Sequence, residues 1–144
     1  MPLLRSSSRG PLGPRAAAIS TASLVLVAAS GASAETYQVG PDKPYTDLYE
    51  LQEILVAGDV VEVDGGQTYG GELQFEGTGT PSEPIVIRGI RVGGQRPIIE
   101  GGTNTVILYA NHIVFEGFEV TGGEGTCIVH NGDDVTIRDL RVRD

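Results

Sequence analysis

The chain has 144 residues, a formal net charge of −9, 21 glycines and a single cysteine, and 40% of its residues are hydrophobic. This length predicts one domain, and the composition indicates neither intrinsic disorder nor a collagen-like fibre. The lone Cys127 excludes a disulfide framework and a cysteine-based zinc site. The acidic charge argues against nucleic acid as a partner, because both molecules would be polyanions.

Residues 1–34 have the layout of a secretory signal peptide. Three arginines precede an acid-free apolar run at residues 16–29, and small residues at 32–34 come directly before Glu35, the first acidic residue. The apolar run is too short to span a bilayer. We therefore expect an exported protein, secreted or periplasmic, whose mature chain of residues 35–144 has no membrane span and a net charge of −12.

The mature chain contains a repeat of about 22 to 28 residues. A five-residue pattern of apolar, any, apolar, charged, and Gly or Asp occurs four times, at residues 61–65, 85–89, 113–117 and 135–139. A second register repeats at 21 residues and matches 99–102 with 120–123, and 106–108 with 127–129. Short β-branched units bounded by turn residues predict strands, and stacked repeats of this length predict a β-solenoid.

Alternation along each unit predicts which side chains point inward. The first and third residues are apolar in all four copies and are expected in the core, while the second is expected to point outward. The fourth residues are Asp64, Arg88, Glu116 and Arg138, whose charges alternate in sign. In-register stacking would place them about 4.8 Å apart, where opposite charges attract. The repeat also places Glu119 below Arg141 and His112 below Asp134.

Residues 46–57 read as an amphipathic helix ahead of the first coil. Thr46 is the expected N-cap, three leucines share one face, and Gly58 follows the end. An open solenoid end exposes its apolar interior, so this helix is the expected cap. The predicted fold is an all-β, right-handed parallel β-helix of about four coils, with a β-sandwich as the alternative.

The succession of segments 36–40, 58–63, 84–89 and 113–122 resembles the N-terminal coils of secreted right-handed parallel β-helix proteins of the pectate-lyase-like superfamily. Members usually have more coils, so the resemblance implies the opening portion of a longer β-helix. The superfamily includes polysaccharide lyases, glycoside hydrolases and adhesins. Its lyases use calcium and a Lys or Arg base on mid-solenoid coils. The only mature lysine, Lys43, precedes the cap, so no catalytic residue is carried over.

The acidic turn before the fourth coil is the candidate metal site. Asp133, Asp134 and Asp139 offer the oxygen ligands that Ca²⁺ prefers. A hydrophilic turn between coils and an acidic pair for glycoside hydrolysis are the alternatives. His112 and His130 are expected at strand edges or turns, and Cys127 is expected to be a small buried hydrophobe.

Two functions are compatible with the sequence. The first is a polysaccharide-processing protein, lyase-like and acting on acidic glycans, with its catalytic residues outside this segment. The second is a non-catalytic glycan-binding, envelope or adhesive β-helix module. Polysaccharide is the partner that a processing or a glycan-binding role implies. End-to-end self-association is expected if the fourth coil lies uncovered, because it would leave an apolar strand edge open.

Overall fold

Short strands separated by glycine-rich turns wind the chain into a parallel β-helix of about four coils. A computed structural model describes residues 33–143, so residues 1–32 of the predicted signal peptide and residue 144 lie outside the described residues. The strands are β1 (Thr36–Val39), β2 (Val60–Asp64), β3 (Thr68–Gly70), β4 (Leu73–Phe75), β5 (Ile85–Ile90), β6 (Ile98–Glu100), β7 (Asn104–Leu108), β8 (Ile113–Glu116), β9 (Glu119–Thr121), β10 (Thr126–His130), β11 (Val135–Arg138) and β12 (Arg141–Arg143).

The strands form three sheets, and each coil visits them in the same order. Sheet A has the order β1-β2-β5-β8-β11, sheet B the order β3-β6-β9-β12, and sheet C the order β4-β7-β10. Every pairing between these strands is parallel. The β-helix prediction is therefore confirmed, and the alternative β-sandwich, which is built from antiparallel sheets, is wrong. We call the β1 end the lower end and the β11–β12 end the upper end.

The core is a stack of inward-facing side chains, as the alternation predicts. On sheet A one inward column runs through Val61, Ile87, Phe115 and Ile137, which are directly paired from strand to strand. The first three are fully buried, whereas Ile137 in the uppermost strand is 39% exposed. Phe118 stacks on Phe115 with ring centroids 4.6 Å apart.

One predicted register in sheet A is wrong by two residues. Asp64 does not lie beside Arg88; it pairs with Ile90 in the ladder and bridges Lys43 at 3.8 Å. Glu62 takes the place beside Arg88, and their charged atoms are 3.1 Å apart. A shift of two residues leaves every side chain on its expected face, so the apolar pattern does not distinguish the two registers.

Of the other predicted registers, those above Arg88 in sheet A and those in sheet B are confirmed, and the one in sheet C is wrong. The alternating column is confirmed above Arg88, where Glu116 lies between Arg88 and Arg138, and Glu119 bridges Arg141 at 3.5 Å. Residues 99–100 pair with 120–121, as predicted. In sheet C, however, Val106 pairs with Ile128 and not with Cys127, a slip of one residue.

The predicted cap is in place, but it is not an α-helix. Residues 46–57 contain only a 3₁₀ turn, Tyr49–Leu51. The three leucines at 48, 51 and 55 are nevertheless buried beneath the first coil. The segment is not helical because Gln52 pairs with the open edge of β4. Its carbonyl accepts from Glu76 N–H at 3.0 Å, and its side-chain oxygen accepts from Gln74 N–H at 2.5 Å. The N–H of Val56, which would close the helical hydrogen bond to the Gln52 carbonyl, donates instead to the Asp59 carboxylate at 2.9 Å.

Candidate functional site

A groove of about 420 Å³ runs over the outer face of sheet B. Its floor contains Thr68, Ile98, Glu119 and Arg141, one residue from each of four successive strands, directly paired in register. A six-residue insertion, residues 91–96, forms one wall. The groove therefore follows the stacking direction of the coils.

The wall is a miniature hairpin. Val92 and Gln95 exchange two backbone hydrogen bonds of 3.1 and 3.0 Å. Gly93 and Gly94 between them have φ values of 58° and 79°, and this geometry at both central positions is typical of a type I′ turn. At its base, Gly65 N–H donates to the carbonyl of Ile90 at 2.7 Å. A Cβ on Gly65 would lie 2.0 Å from the carbonyl oxygen of Gln95, so the hairpin can pack here only against glycine.

Arg96 fastens this hairpin to the uppermost coil. Its guanidinium donates to the Asp139 carboxylate at 2.5 Å and to the main-chain carbonyl of the same residue. The Arg96 side chain is only 14% exposed, so its position is well defined. The hydrogen bond from Arg96 holds the pKa of the Asp139 carboxyl below its usual value, and the nearby charges of Arg96 and Arg91 act in the same direction, while burial opposes them.

The groove concentrates positive charge on a strongly acidic chain. Its lining includes Arg91, Arg96 and Arg141 but only one carboxylate, Glu119. Arg143 also bridges Glu119, at 3.2 Å. Within residues 33–143, Arg91 forms no salt bridge, and its guanidinium contacts the carbonyl of Gly94 at 3.4 Å. Arg91 is therefore available to an anionic ligand, whereas Arg141 bridges Glu119 and can offer a ligand only the N–H donors that this carboxylate leaves unused.

Two of the three aspartates of the candidate calcium site have separate side-chain partners. Asp139 is held by Arg96, and Asp134 contacts His112 Nδ1 at 3.2 Å. The backbone N–H of Asp133 donates to the side chain of Asn111 at 2.8 Å. Across the part of the chain that the structure describes, no group of three or more His, Cys, Asp or Glu side chains could hold a metal ion. Calcium binding at these residues stays a prediction.

His112 and Asp134 lie where the repeat predicts, at equivalent corners of successive coils. Both have positive φ, 49° and 53°. They border a second cleft of about 340 Å³ on the outer face of sheet A, whose other lining residues are Thr80, Pro81, Pro84, Ile113, Val114 and Thr136. His130 is exposed at the end of β10, and Cys127 is half-buried and packs against the core.

The arginine groove is not evident from the repeat alone. The insertion that forms its wall lies between two predicted strands, and its Gly-Gly pair is the signal that could have identified a hairpin. The contact between Arg96 and Asp139 is not predictable from the repeat, because the two residues are 43 positions apart in the sequence. Only the stacking of coils brings the two together.

No protein-family model matches the chain, and no curated protein matches it either. In the described part of the chain, no helix is long and apolar enough to cross a membrane. The fold defines the class of protein, a parallel β-helix.

Proposed function

We propose that the protein is exported and binds acidic polysaccharides in the groove on sheet B, as the glycan-recognition part of a polysaccharide-processing β-helix protein. The observation that carries the proposal is the placement of Arg91 and Arg141 in a groove that runs along the stacking direction. Arginine forms paired hydrogen bonds with carboxylates and keeps its charge at all physiological pH values.

The shape of the groove favours an extended ligand. Its floor column contains one residue from each of four strands, and successive strands in a sheet are about 4.8 Å apart. The column is thus about 14 Å long. Thr68, Gln67 and Gln95 add neutral hydrogen-bonding groups that suit sugar hydroxyls. A polymer with both hydroxyls and carboxylates matches this set of groups.

The charge of the whole chain limits where such a polymer can bind. With a mature net charge of −12, most of the surface repels a polyanion. We therefore expect binding to be confined to the groove and to weaken as salt screens the arginines. For these residues we propose binding and not turnover, because the one carboxylate in the lining, Glu119, is bridged by Arg141 and Arg143.

The experiment compares an acidic with a neutral oligosaccharide of equal length. Calorimetric titration with an oligogalacturonate is expected to show binding, and the neutral oligosaccharide is expected to bind at least tenfold more weakly. The substitutions Arg91→Gln and Arg141→Gln should each reduce the affinity at least tenfold, because a hydrogen bond to a charged group contributes about 1.5–3 kcal/mol and about 1.4 kcal/mol is a factor of ten.

Lys43→Gln is the matched control, since it removes one positive charge outside the groove. Unchanged affinity in a variant that carries both Arg91→Gln and Arg141→Gln would refute the proposed site. The same samples, followed by ultraviolet absorbance for unsaturated uronate products, test turnover. Product formation that the arginine substitutions abolish would show that the groove is catalytic.

A further inference from the structure

The carboxylate of Asp59, just before β2, is completely buried. Its two oxygens accept hydrogen bonds from backbone N–H groups, Oδ1 from Glu35 at 2.8 Å and Oδ2 from Val56 at 2.9 Å. No salt bridge among residues 33–143 includes Asp59. Buried carboxylates are ordinarily paired with a cation, because an uncompensated charge is costly to remove from water. Asp59 therefore has hydrogen bonds but no counter-ion in the described part of the chain.

One of its two partners is the residue that follows the predicted cleavage site of the signal peptide. The small residues at 32–34 place that site between Ala34 and Glu35, and both residues are exposed. Hydrolysis of this peptide bond by a signal peptidase consumes one water molecule. It leaves a carboxylate on Ala34 and turns the Glu35 amide nitrogen into an α-ammonium group. The atom that gains the positive charge is the atom that already contacts Asp59.

The sheet holds Glu35 in place without help from the residues before it. The Glu35 carbonyl accepts from Val60 N–H at 2.9 Å, which continues the pairing of β1 with β2. Asp59 is buried before and after cleavage, so the new charge adds attraction without a further desolvation cost for the carboxylate. The ordinary pKa of an α-amino group is about 7.7–8.0, so this group is positively charged at neutral pH.

We propose that removal of residues 1–34 creates an ion pair between the α-ammonium group of Glu35 and the buried carboxylate of Asp59. The pair fastens the start of β1 to the segment that enters β2. The inference rests on the export that is part of the proposed function. It gives the folded mature chain an interaction that the precursor lacks, so processing at this bond stabilises the fold.

A double-mutant cycle measures the ion pair. A chain that begins at Glu35 is compared with one that retains Ala34, each with and without Asp59→Asn, and all four proteins contain the twelve strands. The structure describes Ala34 in place with the hydrogen bond from Glu35 to Asp59 intact, so retention of Ala34 removes only the charge on the Glu35 nitrogen.

Urea unfolding at pH 7 gives the folding equilibrium constant of each protein. Retention of Ala34 should lower this constant at least tenfold when Asp59 is present and at most about twofold in the Asp59→Asn background, because a hydrogen bond between charged groups is roughly twice as strong as a neutral one. Asp42→Asn is the matched control, since it removes an exposed acid in the turn after β1 and should leave the tenfold effect in place. An equal effect of Ala34 with and without Asp59 would overturn the proposal.

Chemical labelling reports on the α-amine directly. Lys43 is the only lysine, so the mature chain has two amines, and mass spectrometry can follow the acetylation of each. Asp59→Asn should speed acetylation of the Glu35 α-amine at least tenfold and leave Lys43 unchanged, because an ammonium group held by a carboxylate seldom loses its proton. Equal rates at the α-amine with Asp59 and with Asn would count against the ion pair.

N-terminal sequencing of the protein exported by a secreting host should give Glu35 as the first residue. Export with a different first residue would overturn this proposal and leave the proposed function standing, whereas absence of export would refute both. Oligogalacturonate titration of the Asp59→Asn protein should give unchanged affinity, because Asp59 is not among the residues that line the groove. Loss of sugar binding together with an intact Glu35–Asp59 pair would refute the proposed groove alone.

Discussion

A matched pair of substitutions in one core column tests the architecture quantitatively. Ile87 and Ile137 point into the same column of sheet A, two coils apart, but Ile87 is fully buried and Ile137 is 39% exposed. Truncation of isoleucine to alanine removes three carbons, worth about 2–3 kcal/mol of transfer free energy when fully buried. At Ile87 the enclosed cavity adds to this cost, so we expect Ile87→Ala to destabilise the protein by about 3–4 kcal/mol.

Ile137→Ala should cost much less. Its side chain loses only the buried part of its surface, and the open upper side leaves no enclosed cavity, so about 1–2 kcal/mol is expected. Urea unfolding of the mature chain measures both free energies, and equal m-values across the three proteins would show that each unfolds the same extent of structure. Equal costs at the two positions would refute the reasoning, because they would mean that Ile137 is as enclosed as Ile87.

Two further predictions concern the groove and the alkaline limit of stability. Gly65→Ala should displace the hairpin of residues 91–96, because the new Cβ would lie 2.0 Å from the carbonyl oxygen of Gln95. We expect this variant to bind the acidic oligosaccharide more weakly and to be cleaved faster by proteases in the hairpin. Unchanged binding and an unchanged cleavage rate would contradict this account. Burial, with a smaller effect from Asp64, raises the pKa of Tyr69 to about 12. The contribution of this phenol to stability is therefore fully present below the ordinary tyrosine pKa of 10.0 and is lost as the pH rises toward 12. Tyr69→Phe should reduce the loss of stability over that range, as measured by urea unfolding at several pH values, and an unaltered pH dependence would count against it.

Much of the fold could be predicted because a solenoid repeats one short structural unit along the chain. Each coil contacts mainly its neighbours, so a short apolar pattern with turn residues at both ends specifies strands, faces and stacking together. The inward positions of Val61, Ile87 and Phe115 follow from alternation alone. The repeat also predicts the pairing of Glu119 with Arg141, because the two residues occupy the same position in successive repeats.

The cap shows where local pattern is insufficient. Residues 46–57 have the apolar spacing of a helix, and their leucines do cover the core. The backbone, however, is needed to satisfy β4, and Gln52 does so through its carbonyl and its side chain. The hydrogen bonds that Gln52 makes with the free edge of β4 thus outweigh the intrinsic preference of residues 46–57 for a helix.

By itself the sequence determined the class of fold, the faces of the strands and the acidic character of the chain, because these depend on residue types at fixed short spacings. The tertiary structure alone decided the register between Glu62 and Arg88 and the contact of Arg96 with Asp139. Coils of unequal length, with a hairpin inserted in one of them, bring together residues that no constant repeat would align. The arginine groove arises from that inequality, which is why it appears only when the coils are stacked.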